Sequence, residues 1–308
     1  MEILKNPNFD FLGKARLFIA LSLLVIVAGG VLIARQGLRY GVEFQGGTQL
    51  IVKFQNPPQV DEIRGAVERD APGAVIQTYD DPAKNQVLIR LAAPPSDTTL
   101  TAPAQRALDA LKAGYPGNPV LESSSEIVGP IVGAELRRKA IQLTLWGLLF
   151  QLIYIAWRFK GPVWGAAAAI ACLHDVLVCL TFLALFGYEI TLNVIAALLT
   201  LVGYSVNDTI VIFDRARENL KHKRKDSLAK ILNDSLNQTL TRTLISNGTT
   251  FLAVLGLYLF GGEVLRGFGF TMVVGILVGT YSTIYIASPL VIWWQGRSQK
   301  PATAKAAL

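Results

Sequence analysis

Apolar residues in this chain gather into six long runs, with polar residues filling the intervals between them. The runs cover residues 17–34, 140–157, 163–186, 190–213, 244–260 and 268–294. A helix needs roughly 20 apolar residues to cross a hydrocarbon core, so the pattern predicts six transmembrane helices. The last run is longer than a crossing requires, and a tilt, or an interfacial seat for Trp293 and Trp294, absorbs the surplus. The first run follows Lys14 and Arg16 and has the outline of a cleavable signal peptide, but the five later runs favour an uncleaved anchor.

One polar interval is long. Residues 35–138 mix charges, prolines and short apolar alternations, which read as a water-soluble domain on one side of the membrane. Strand-like stretches fall within 41–54 around Gly46-Gly47, and at 74–79, 86–91 and 120–128. Helical patterns fall at 58–70 and 100–113, while Asp81-Pro82 and Pro94-Pro95 punctuate loops. The order β-α-β-β-α-β is the ferredoxin-like pattern, so the expected fold is an α-helical membrane protein carrying an inserted α+β ferredoxin-like domain.

Composition agrees: 52% of the 308 residues are hydrophobic and only 17% charged, with mean hydropathy +0.41, well outside the balance of soluble domains. The net charge of +7 is mostly topological. Lys5, Lys14 and Arg16 precede the first run, and Arg158 and Lys160 lie between the second and third. Arg215, Arg217, Lys221, Lys223, Arg224, Lys225 and Lys230 lie between the fourth and fifth, and Arg297, Lys300 and Lys305 follow the sixth. The intervals 187–189 and 261–266 are nearly free of basic charge, so the positive-inside rule puts both termini in the cytoplasm. The expected division is 1–16 cytoplasmic, 17–34 the first transmembrane helix, 35–138 periplasmic, 139–294 transmembrane helices two to six, and 295–308 a cytoplasmic tail. Because membrane orientation already accounts for the basic residues, no nucleic-acid partner is expected.

Several chemistries lack their motifs. No G-x-x-x-x-G-K-[ST] loop points to nucleotide hydrolysis. Cys172 and Cys179 fall on about one face of a single span, and His174 and His222 are the only histidines, too few converging ligands for zinc. The thiols read as buried apolar side chains, with no disulfide, metal or cofactor.

The informative residues are ionisable groups within the runs, which are costly in a membrane and mark functional positions. Asp208 lies in the fourth run, six residues before Asp214 at its cytoplasmic end, and Arg242 stands where the chain enters the fifth. Two readings of this pair stand: a fixed ion pair joining two spans, or a carboxylate whose proton affinity changes as the guanidinium approaches or recedes. Arg242 itself stays protonated. His174 and Asp175 form a second polar pair, and because neighbours on a helix point about 100° apart, each is expected to seek a partner on another span. Ser205 and Asn207 flank Asp208; Ser246, Asn247, Thr249 and Thr250 could meet Arg242, hydrate a path or knit helices. Gly267, Gly269, Gly275 and Gly279 suit close helix packing.

The stretch Val202-Gly-Tyr-Ser-Val-Asn-Asp-Thr-Ile-Val-Ile-Phe-Asp-Arg-Ala-Arg-Glu-Asn219 resembles the fourth-span signature of the SecF family, membrane subunits of the bacterial SecDF accessory to the Sec translocase. Similar matches run along nearly the whole chain: Phe11-Leu-Gly-Lys14, Phe44-Gln-Gly-Gly-Thr48, Val128-Gly-Pro130, His174-Asp175 and Asn237-Gln-Thr-Leu-Thr-Arg-Thr243. Phe260-Gly-Gly-Glu-Val-Leu-Arg-Gly-Phe268 and Gly279-Thr-Tyr-Ser-Thr-Ile-Tyr-Ile-Ala287 complete the series. Glu43, where the family more often has Asp, and the turn Ser246-Asn-Gly248 depart from the pattern.

The resemblance implies an RND-superfamily half-transporter of the bacterial inner membrane, not an enzyme, that pairs with SecD and couples the proton gradient to late export of polypeptides. Asp208 matches the family's proton-relay carboxylate and Arg242 its essential arginine, with protons as the coupling ion. The SecYEG translocon, YajC, YidC and the unfolded polypeptide in transit are the further partners it implies. An RND-like exporter of small molecules or lipids, and a scaffold of the translocase that moves nothing, are the alternative functions.

Overall fold

The computed structural model describes residues 7–72, 74–79, 82–92, 101–159, 162–222 and 226–298. Pro94-Pro95, Asp81, Lys5, Lys160, Lys223, Arg224, Lys225, Lys300 and Lys305 lie outside them.

Helix α1, Ala15–Gln36, leads through a helical turn α2, Val42–Gln45, into strand β1, Gly47–Phe54. The expected strand character within 41–54 is therefore confined to its second half. Gly46 and Gly47 make the break possible: their φ values of 75° and 145° lie where only glycine sits without strain.

Helix α3, Val60–Val67, strand β2, Val75–Tyr79, and strand β3, Gln86–Ala92, follow, then helix α4, Ala102–Gly114, and strand β4, Val120–Val128. The strands form one antiparallel sheet in the order β2-β3-β1-β4. Period-two alternation turns Leu50, Val52 and Phe54 of β1, and Val87, Ile89 and Leu91 of β3, onto one face. There they meet Ile63 and Val67 of α3 and Ala107 and Leu111 of α4, which recur at helical spacing and close the apolar core of the domain.

The rest is helical: α5, Pro130–Phe159; α6, Pro162–Leu185; α7, Leu192–His222; α8, Leu228–Phe260; α9, Gly262–Ser282; and α10, Ser288–Ser298, which continues α9 through a π-helical turn at Thr283–Ala287. Among the described residues, five helices are long and apolar enough to cross a membrane: Leu12–Gln36, Pro162–Leu185, Leu192–His222, Leu228–Phe260 and Val264–Gln295. The fifth buries 67% of its apolar stretch and the first only 11%. The α9–α10 rod is thus the centre, packed on α6, α7 and α8, and α1 lies at the rim against α6.

The basic interval between the fourth and fifth apolar runs, 214–243, is largely helical and not an open loop: α7 runs on to His222 and α8 starts at Leu228. No proline or glycine interrupts 204–247, and Ser227 caps α8 by accepting from the Lys230 amide at 3.3 Å. At 31 residues, α7 is roughly 46 Å long, more than the roughly 30 Å hydrocarbon core. The α7–α8 hairpin therefore projects beyond the apolar layer. Asn219 of α7 ties it by donating to Ser235 at 2.8 Å and Gln238 at 3.1 Å. Asn233 and Asn237 of α8 hold the backbone of Phe9 and Phe11 with bonds of 2.8–3.0 Å.

Candidate functional site

Helix α7 presents Leu201, Tyr204, Ser205 and Asp208 at i, i+3, i+4 and i+7, a single stripe facing α8 and α9. The stripe can come close because α9 offers glycine opposite it. A Cβ on Gly275 would stand 2.6 Å from Leu201, nearer than any real contact, and one on Gly279 would stand 3.3 Å from Ser205. Between these walls lies a cavity of about 10 Å³ bordered by Asp208, Ser205, Asn247 and Thr280, the space that a single water occupies.

Asp208 is 6% exposed and accepts a hydrogen bond from the Asn247 side chain of α8. Asn247 also donates to Thr280 of α9 at 2.7 Å, so one amide bridges three helices at the carboxylate. Nearby, the Tyr204 and Thr250 hydroxyls lie 3.0 Å apart.

Arg242 is not in contact with Asp208. No ion pair or hydrogen bond of Arg242 is present among the described residues, and its side chain is exposed. Helix geometry gives the reason: Arg242 precedes Asn247 by five residues, which is about 140° around α8 and about 7.5 Å along it. With Asn247 turned to Asp208, the arginine points elsewhere. Asn207 is exposed on the far side of α7, and Ser246 is half-buried, its carbonyl accepting from Thr249 and Thr250 at 2.9 and 3.0 Å. Neither joins the site.

The second polar pair is more tightly built. Asp175, fully buried, accepts from Ser205 of α7 at 2.5 Å and from Ser282 of α9 at 2.9 Å, both on one carboxylate oxygen. Partners on other spans were expected; a bond within the pair was not. His174 Nδ1 lies 2.9 Å from the other oxygen of Asp175, and its Nε2 lies 3.1 Å from the Tyr281 hydroxyl. The Cα–Cβ bonds of neighbouring residues do diverge, but the imidazole is long enough to swing back across that angle. Ser205 thus touches Asp175 and also borders the cavity at Asp208, joining the two polar centres through one hydroxyl.

Sequence reasoning assigned no role to Thr280, Tyr281, Ser282 or Thr283, all of which enter this network or its neighbour, the 3.1 Å Thr209–Thr283 contact. Four consecutive hydroxyl side chains inside an apolar run were the available signal. The π-helical turn beginning at Thr283, where the Ser288 hydroxyl donates to the Thr283 carbonyl at 3.0 Å, lets the rod rotate its face just there.

Outside the apolar layer, Arg158 of α5 pairs with Asp214 of α7, and Arg90 of β3 pairs with Glu189 in the α6–α7 connection. Burial pushes the Glu189 carboxyl above its ordinary range; the nearby Glu43 adds to this, and Arg90 and Arg39 oppose it.

Comparison with known proteins decides what this arrangement belongs to. Residues 112–297 match the family described as protein export membrane protein SecD/SecF, C-terminal, and residues 31–58 match the SecD/SecF GG motif. The chain is 42% identical over 299 residues to the protein translocase subunit SecF of Calditerrivibrio nitroreducens, covering 94% of this chain and 96% of the relative. The chain belongs to the SecF family of protein translocase subunits.

Membership accounts for Gly46-Gly47 lying within a GG motif, and makes this multi-pass membrane protein part of the Sec export machinery. SecF of Koribacter versatilis is 37% identical over 382 residues, covering 96% of this chain and 94% of that one. The crystal structure of SecDF from Thermus thermophilus superposes with a TM-score of 0.81 at 37% identity, covering 95% of this chain and 39% of that one. The SecF-family chain thus corresponds to well under half of that longer protein.

Proposed function

We propose that this SecF-family subunit couples proton passage through Asp208 to late-stage export of polypeptides. The observation that carries the reading is a membrane-buried carboxylate held by a neutral amide beside a water-sized cavity, with no cation bonded to it. A fixed ion pair would put a guanidinium there. An aspartate with one amide donor and space for water can instead take up and release a proton, and Arg242, about one and a half turns nearer the start of α8, biases it from a distance. Each proton crossing contributes about 2.3 kcal/mol per 100 mV, enough to bias one conformational step, so export of a whole chain needs repeated cycles.

The proposed architecture is a six-span half-transporter of the RND type with both termini cytoplasmic. Helix α5, 30 residues long with Leu145, Trp146, Phe150 and Ile153 exposed, supplies the sixth crossing. The outer domain is read as ferredoxin-like and periplasmic: the strand order β2-β3-β1-β4 with α3 and α4 on one face supports this. Labelling of a cysteine at Lys112 from the periplasm and at Lys221 from the cytoplasm tests the orientation; the reverse pattern overturns it.

A SecD-type subunit is the proposed partner, because SecDF of Thermus thermophilus is 41% identical over 309 residues while this chain covers 41% of its length. The SecYEG translocon, YajC, YidC and the unfolded polypeptide complete the proposed assembly, which works by binding and movement and not by covalent catalysis. The deciding experiment compares export into vesicles with and without a proton gradient. Asp208→Asn is expected to assemble with its partner and lose gradient-dependent export, while Asp208→Glu and Arg242→Lys keep part of it. An assembled Asp208→Asn complex that still responds to the gradient refutes the relay.

A further inference from the structure

Where α5, α6 and α7 meet the root of the outer domain, a crevice of about 220 Å³ opens, lined almost wholly by apolar side chains. On α5 its wall is Arg137, Ala140, Ile141, Thr144 and Leu145, at i, i+3, i+4, i+7 and i+8, one continuous stripe. Leu180 of α6 and Ile195 of α7 form the opposite side. Ile141 and Leu145 are 55% and 61% exposed, so the crevice opens sideways, toward lipid. Thr144, the hydroxyl in the α5 wall, donates to the Ala140 carbonyl at 2.8 Å.

The rim differs from the interior. Arg137 stands at the outer-domain end of the stripe, while Arg138, the next residue, is turned about 100° round α5 and does not line the crevice. Glu135, the nearby carboxylate, is taken by Lys139 at 2.8 Å, and no ion pair of Arg137 or Arg138 occurs among the described residues. An apolar slot therefore ends at the Arg137 guanidinium, which, with α5 read as a membrane crossing, stands where headgroups begin.

We propose that this crevice binds one anionic phospholipid, with an acyl chain in the slot and its headgroup phosphate on Arg137. Charge complementarity selects the headgroup, because juxtamembrane basic side chains attract anionic lipid and arginine forks match phosphate. The wall selects the tail. A peptide strand in the slot would bury backbone amides against side chains that offer no partners, a cost an acyl chain does not incur. A partner helix, about 10 Å across, would cover the slot and leave it unfilled. The site lies on another face from the Asp208 cavity, and its occupancy is independent of any proton relay.

The test uses the full chain in nanodiscs of mixed phosphatidylglycerol and phosphatidylcholine, with lipid retained after detergent extraction read by native mass spectrometry. One phosphatidylglycerol per chain is expected, about fivefold in excess of phosphatidylcholine. Arg137→Gln should remove the preference while Arg138→Gln leaves it, and Ile141→Trp should reduce retention of both lipids by filling the slot. A photoreactive residue at Ile141 in the otherwise unchanged chain should crosslink to lipid, which decides the matter even if the substituted proteins fold poorly. Equal retention of the two lipids by the wild type overturns the proposal. So do displacement by inorganic phosphate alone, a preference untouched by Arg137→Gln, and crosslinking to protein.

Discussion

The outer domain and the membrane bundle bury their interiors in opposite ways. The sheet and its two helices close over aliphatic and aromatic side chains, whereas the interface of α6, α7, α8 and α9 encloses Asp175, His174, Ser205, Asp208, Asn247 and Ser282. A dry core draws its strength from water leaving apolar surface. Inside a bilayer that gain is absent between helices, and packing with hydrogen bonds takes its place. The small domain can therefore afford no charge in its centre, while the bundle keeps its polar groups as both adhesive and working parts.

If that contrast is right, damage to the two interiors should have different symptoms. The largest effect on stability is expected at Phe54, 1% exposed and packed edge-on against Tyr115 at 5.7 Å. Phe54→Ala should destabilise the outer domain by about 3–5 kcal/mol, measured by protease resistance of the domain, with the membrane helices still inserted. Loss of insertion as well would mean that the two interiors fold as one.

In the bundle, Asn247→Leu removes the amide from Asp208 and should cost about 1–3 kcal/mol at the carboxylate. The expected readout is a shifted pH dependence of export in assembled protein; an unchanged pH profile would make Asn247 simple packing. Ser205→Ala removes a donor from Asp175 and the link to the Asp208 cavity, for a loss of about 1 kcal/mol. It should lower gradient-driven export without dissociating the complex, and full activity would separate the two polar centres.

The smallest effect belongs to Glu189, between the regions. Burial lifts its pKa above the ordinary 4.5, so the folded protein holds this proton more tightly than the unfolded chain does. Its contribution to stability is therefore gained as pH falls through the raised value and lost as pH rises. The melting temperature of wild type relative to Glu189→Gln should move upward as pH is lowered from about 7 toward 4.5. A downward drift would show that the Arg90 pairing outweighs burial.

The elements with strong periodicity were legible in the sequence: β1, β3, α3 and α4 follow from alternation and helical spacing, and the GG pair marks where β1 begins. The length of α7 and α8 was not, because hydropathy reports where lipid ends and says nothing about where a helix ends. Asp208 and Asp175 stood out as charges in apolar runs. Their partners did not, since Asn247 and Ser282 are chosen by the rotation of one helix against another, a quantity that no single run encodes. Arg242 illustrates the difference: its depth along α8 could be read, while its direction required the third dimension.

The joint at the outer end of α7 has a mechanical consequence. Ile190 accepts from the Gly41 amide at 2.9 Å and donates to the Arg39 carbonyl at 2.7 Å, two residues before α7 begins. From Gly41 the chain reaches β1 through a single helical turn, and Glu189 clasps Arg90 on the neighbouring strand. The start of α7 is thus pinned to the sheet on two adjacent strands. A tilt or twist of this helix acts on the domain as a crank acts on a wheel, with the helix as shaft and the sheet as load.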